Sequence, residues 1–120
     1  MTENTARSFN PTSTRPERAL QAWQILISCA ANRQTITYEG LGNAMFGRKA
    51  AGVLSQTLDL VARYCGDHGL PPLTAVVVGT NRGTPGTGIP TGVATIDRDR
   101  ELVYDCKWFT FVPPTLEQLV

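Results

Sequence analysis

Thr35-Ile36-Thr37-Tyr38-Glu39-Gly40-Leu41-Gly42-Asn43-Ala44-Met45-Phe46 runs directly into Gly47-Arg48-Lys49-Ala50-Ala51-Gly52-Val53-Leu54-Ser55-Gln56-Thr57-Leu58, and these 24 positions decide the fold. Thr37 is a candidate N-cap, opening a short helix from Tyr38 to Phe46. Gly40 and Gly42 each weaken that helix by roughly 1 kcal/mol relative to Ala, so packing has to hold it. Gly47 ends it. A longer helix then runs from about Arg48 to Cys65. Ala51, Leu54, Leu58, Val61, Ala62 and Cys65 form one apolar stripe along it, and Val53, Thr57, Leu60 and Tyr64 a second. A helix apolar on two sides sits centrally in its domain.

Working outward, Met1 to Ser13 is rich in Thr, Ser, Asn and Pro and shows no periodicity. It reads as a disordered tail (1–13), leaving 14–120 as a single domain. Thr14, Pro16 and Glu17 make a helix start with a capping box. Leu20, Trp23, Ile27, Ala30 and Ala31 follow at helical spacing, so a first helix extends to about Ala31. After the long helix, Gly66, Gly69, Pro71 and Pro72 supply a stop. Leu73 to Val78 is a β-branched run that reads as a buried strand. Gly79 to Gly92 is a loop of five glycines with Pro85 and Pro90. Asp97 is then a candidate cap for a further short helix with Leu102, Val103 and Cys106 facing inward; a strand from Leu102 to Val112 is the competing reading. Thr115 to Gln118 repeats the capping-box pattern near the end. Trp23, Ile27, Leu54, Leu58 and Val61 are expected to share one core.

The chain has 120 residues, enough for one core. Its 42% hydrophobic and 18% charged residues are ordinary for a globular protein. Eleven Lys and Arg against ten Asp and Glu give a net charge of +1, so any nucleic-acid surface has to be a local patch. No apolar stretch is long enough to span a bilayer, and Met1 to Pro11 lacks the apolar segment of a secretory signal. Cys29, Cys65 and Cys106 are odd in number and without CxxC spacing. Reduced thiols and a cytoplasmic location are expected.

The order of these pieces resembles the C-terminal winged-helix domain of the alkylguanine-DNA alkyltransferases and alkyltransferase-like proteins. The resemblance covers roughly Leu20 to Ile89 and rests on "TITYEGLGNAMF", "GRKAAGVLSQTL", "LPPLTAVVV" and the glycine-rich stretch. Its best-matched positions are Thr37, Tyr38 and Leu41, and Lys49, Ala50 and Ala51. "LPPLTAVVV" also resembles a segment of uncharacterised bacterial and mobile-element proteins. The alkyltransferase family enters the minor groove with a helix-turn-helix, flips the damaged base and takes its alkyl group on a cysteine. Its Pro-Cys-His-Arg segment falls here on Leu73 to Val76, which reads Leu-Thr-Ala-Val, and its base-replacing arginine falls on Gly52. With no thiol, imidazole or guanidinium at those positions, the resemblance implies the domain without its alkyl-transfer chemistry.

Other candidate chemistry is thin. Cys65 and His68 lie one turn apart with Asp67 between, but Cys65 falls on an apolar stripe and His68 in the terminating turn. A buried thiol and a surface imidazole fit that placement better than a nucleophile and its base. One His and no paired cysteines do not make a zinc site. The Gly79–Gly92 loop follows an apolar strand as phosphate-cradling loops do. It lacks the Gly-Lys-Ser/Thr ending and the immediate helix entry that nucleotide binding requires, so a surface loop is the simpler reading. Arg48 and Lys49 open the long helix and Arg82 sits on the loop that would be the wing, a placement suited to phosphate contacts. Arg15, Arg18 and Arg33 flank the first helix. Asp97, Asp99 and Glu101 alternate with Arg98 and Arg100, as on an exposed helix.

The sequence thus predicts an α+β fold: a small winged helix-turn-helix-like domain, mostly helical with a short sheet. The expected function is non-enzymatic DNA recognition through Arg48, Lys49 and Arg82, without cofactor, metal or membrane. A protein-binding module is the alternative, such as an immunity protein, an antitoxin or a phage or mobile-element accessory protein.

Overall fold

The computed structural model describes residues 14–47, 51–79 and 93–120. The expected tail (1–13) and most of the glycine loop (80–92) lie outside the described residues, as do the side chains of Ala51, Val53, Val93, Ala94 and Thr95.

Helix α1 spans Arg15–Ala31. Its start is the expected capping box: the Glu17 amide donates to Thr14 Oγ1, and Glu17 Oε1 accepts the Thr14 amide at 3.0 Å. Ala19, Ala22, Trp23, Leu26, Ile27 and Ala30 are buried along one face. Ala31, expected on that stripe, is exposed, because one residue beyond Ala30 is about 100° round the helix.

Strand β1 (Ile36–Thr37) leads straight into helix α2 (Tyr38–Phe46). Thr37 caps α2 as expected, its Oγ1 accepting the Gly40 amide at 2.9 Å. The glycine at 40 has a packing reason. A Cβ there would lie 3.1 Å from that capping oxygen and 3.3 Å from Ile36 Cγ1. Gly47 closes α2 at φ 71°, a left-handed conformation that costs a residue with a Cβ far more.

Helix α3 spans Ala51–Asp67 and packs chiefly on α1. Leu54, Thr57, Leu58, Val61, Tyr64 and Cys65 are buried on it, and Leu60 is half-buried. Trp23, Ile27, Leu54, Leu58 and Val61 belong to one core cluster, as expected. At its centre Trp23 meets Tyr64 edge-on at 5.3 Å and Trp108 edge-on at 5.5 Å.

The run Leu73 to Val78 is buried throughout, but only its end is a strand. Leu73–Val76 forms a 3-10 turn, with the Ala75 amide donating to the Pro72 carbonyl at 2.9 Å, and strand β2 is limited to Val77–Val78. β2 pairs in parallel with β1, Ile36 opposite Val77 and Thr37 opposite Val78. Since β1 is only two residues long before α2 begins, it offers no ladder to the rest of the run. The β-branched side chains are there to fill the core.

Helix α4 spans Val93–Asp105. It starts upstream of Asp97, so Asp97 lies within the helix and does not cap it. Ile96 and Val103, two turns apart, define its buried face. Leu102, expected to face inward, is 47% exposed because it sits about 100° from Val103 round the helix. Cys106 is half-buried. The competing strand from Leu102 to Val112 does not form; Trp108–Thr110 is a 3-10 turn instead. Trp108 buries its ring and donates Nε1–H to the Val103 carbonyl at 2.7 Å, folding the chain back onto α4. A last 3-10 turn, Glu117–Leu119, carries the expected reciprocal bonds: the Thr115 amide donates to Gln118 Oε1 (2.8 Å) and the Gln118 amide to Thr115 Oγ1 (3.3 Å). It buries Leu119 against α1 and α3.

The described architecture is therefore mostly helical, with one short two-stranded parallel sheet. No described helix is long and apolar enough to cross a membrane.

Candidate nucleic-acid interface

Arg48, Lys49 and Arg82 all lie outside the described residues, and what the structure fixes is where their segments attach. The 48–50 segment joins the left-handed Gly47 to Ala51, the first residue of α3. The 80–92 segment leaves Gly79 directly after Val78, which pairs with Thr37, the N-cap of α2. The two attachment points thus sit at opposite ends of α2, nine residues long and so about 13 Å apart along its axis.

Between them α2 and α3 expose little positive charge. The charged residues among 38–47 and 51–67 are Glu39, Asp59, Arg63 and Asp67. Arg63 donates to the Val120 carbonyl, so its guanidinium is engaged by the C-terminal segment. Along α3, Ser55, Gln56, Asp59 and Arg63 are exposed on the side opposite the core. Ser55 and Gln56 are neutral, and Asp59 sets a carboxylate one turn further on, where phosphate is repelled.

The arginines flanking α1 separate into different roles. Arg18 is 7% exposed. Its Nη1 donates to Gln21 Oε1 (2.8 Å) and to the Met45 carbonyl (3.1 Å), and its guanidinium lies 4.3 Å from the centre of the Phe46 ring. It fastens α1 to the C-terminal end of α2, where carbonyls lack helical partners. Burial lowers its pKa. Arg33 sits at φ 52° and reaches α4, bonding Glu101 at 2.7 Å and Asp105 at 3.3 Å with Tyr104 5.1 Å beneath. The hydrogen bond to Glu101, then the one to Asp105, raises its pKa. Arg100 donates Nε–H to the Ala75 carbonyl at 2.9 Å. Sequence reasoning missed these clamps. The one available signal was Glu101 and Asp105 four apart on a single helix face. Arg15 is exposed at the start of α1.

No family model, curated protein or solved structure matches this chain.

The thiols are held in their protonated form. Burial pushes Cys65 up to about 11; the Leu73 amide at its sulfur opposes this, and neighbouring Cys106 adds to it. Burial also raises Cys29 and Cys106. The His68 ring stacks on Tyr64 at 4.2 Å, on the exposed surface. Cys65 is 1% exposed, so it lies in the core while its would-be base lies outside. Among the described residues no group of His, Cys, Asp and Glu could hold a metal ion.

Proposed function

We propose that this chain is a non-enzymatic DNA-recognition module, a winged helix-turn-helix of alkyltransferase type that has lost the alkyl-accepting chemistry. One observation carries the reading. α2 and α3, both seated on α1, meet at a left-handed Gly47, and the joint between them holds the adjacent cations Arg48 and Lys49. The segment with Arg82 starts at the other end of α2, so the two basic segments bracket one helix. Helix-turn-helix proteins present this surface to the sugar-phosphate backbone. Binding is weak and independent of sequence, because the contacts are to phosphate.

Three phosphate contacts give a log–log salt slope of roughly −2.7 on duplex DNA. Replacing Arg48 and Lys49 together by Ala is expected to weaken binding equally for unrelated duplexes and to flatten the slope by about two contacts' worth. Fluorescence anisotropy at low salt decides it. A wild-type protein with no salt-sensitive affinity for any duplex at micromolar concentration overturns the reading. In parallel, incubation with alkylated DNA leaves every cysteine unmodified by mass spectrometry; a stoichiometric adduct refutes the loss of chemistry.

The second reading, a protein-binding module such as an immunity protein, an antitoxin or a phage or mobile-element accessory protein, is favoured by a separate feature. Phe109 and Val112, 67% and 84% exposed, present apolar surface far from the basic segments in sequence.

A further inference from the structure

Residues 107–119 form an arm pinned at both ends. Trp108 is 2% exposed against Trp23, and Leu119 is 1% exposed against α1 and α3, with Pro114 buried between them. The rest of the arm faces outward: Phe109 at 67%, Phe111 at 44%, Val112 at 84% and Leu116 at 40% exposure. Its backbone is extended at Phe111 (φ −91°, ψ 144°), and Pro113 and Pro114 oppose helix in the residues before them. Within the arm the 3-10 turn Trp108–Thr110 sets the Phe111 ring edge-on to Trp108 at 6.4 Å, and Phe109 and Val112 are left as its most exposed apolar side chains. Fixed ends also reduce the ordering entropy that a contact would otherwise cost.

The charge pattern names the occupant. From Trp108 to Leu116 there is no charged residue, whereas Lys107 stands at one end and Glu117 at the other, both exposed. Neither makes an ion pair with a described residue. Such an arm is complementary to its own reverse. A two-fold contact brings residue i of one copy to j of the other, and j to i. With the axis near Val112, five residues from both Lys107 and Glu117 in sequence, each lysine meets the partner's Glu117 and the apolar middle meets itself.

We propose that this arm is the self-association surface of the chain, forming a two-fold dimer with Phe109, Phe111 and Val112 at its centre and two Lys107–Glu117 pairs at its rim. The proline pair removes two backbone donors, so the contact is made by side chains and not by a strand ladder. The proposal is independent of the DNA reading, since none of its contacting residues lies on α2, α3 or the basic segments; it assigns to a second copy the Phe109 and Val112 surface that the protein-binding reading gives to another partner.

Sedimentation velocity over a rising concentration series tests it. The wild-type chain passes from monomer to dimer. Lys107→Glu turns two attractions into two repulsions and raises the dissociation constant about tenfold or more; Glu117→Lys does the same. The double variant Lys107→Glu with Glu117→Lys exchanges the partners and recovers the dimer, an outcome that general damage to the fold would not produce. Val112→Asp sets two carboxylates near the axis and abolishes the dimer while the melting temperature of the monomer holds. A chain that stays monomeric at every concentration overturns the proposal, as does a dimer indifferent to the single reversals or one not recovered in the double variant.

Discussion

Cys65 shows at a single position how the interior governs chemistry. Its thiol is raised from 9.0 to about 11 by burial, so the native state disfavours the thiolate. The associated stability, roughly 2–3 kcal/mol, is fully present well below pH 9, where an unfolded thiol is half ionised, and starts to fall as pH nears that value. It is lost as pH rises through the folded value of about 11. Denaturant midpoints measured across that alkaline window are expected to fall in the wild type and to fall less in Cys65→Ala. The same burial predicts slow labelling of Cys65 by thiol reagents at neutral pH until the protein unfolds. Arg33 is the opposite case, an exposed residue in a left-handed backbone held by two carboxylates. Both Arg33→Gly and Arg33→Ala lose the clamp, but only glycine also relieves the backbone. A higher melting temperature for Arg33→Gly than for Arg33→Ala is the expected result, and the reverse order removes strain from the account.

Caps and packing contacts set the stability of the elements. Thr37 serves β1 through its backbone and α2 through its hydroxyl, and Thr37→Ala is expected to cost about 1 kcal/mol. Gly40→Ala gains helix propensity but crowds that same hydroxyl, so urea unfolding is expected to show no gain in stability. Trp108→Ala empties a core site and unties the turn after α4, at about 3–5 kcal/mol. These elements differ in how far the sequence disclosed them. Thr14, Thr37 and Gly47 announced their helix ends because capping is local chemistry, decided within a few residues. The strand expected from Leu73 was mostly a 3-10 turn, because a ladder needs a partner and β1 supplies two residues. Leu102 was expected in the core and emerged outside, since the start of α4 at Val93, upstream of Asp97, fixes which face turns inward. Trp108 escaped notice because its partners, Trp23 and Val103, are brought to it only by the fold.

For the whole molecule, the helix order was legible, but the expected central place of α3 was not: α3 buries one face, with Ser55, Gln56, Asp59 and Arg63 exposed opposite it, and α1 is the helix that packs against α2, α3, α4 and all three 3-10 turns. Leu58 is 2% exposed in the core between α3 and α1. Leu58→Ala is expected to cost about 2–5 kcal/mol; a change under half a kilocalorie in denaturant unfolding would remove that face of α3 from the core. The candidate site was legible only as a list of basic positions. Which arginines are committed internally, Arg18 to α2 and Arg33 to α4, depends on contacts between distant segments that no local pattern encodes. The arrangement at the centre has an optical consequence. The chain has two tryptophans, and both lie in one perpendicular pair 5.5 Å apart at 84°, one on α1 and the other on the C-terminal arm. All indole emission and most near-ultraviolet circular dichroism therefore originate at one junction. If the arm lifts from α1 while the helices stay folded, the near-ultraviolet band collapses and the emission shifts to the red, with the far-ultraviolet spectrum barely changed. Arm release and global unfolding can thus be timed separately in one stopped-flow experiment, without any attached dye.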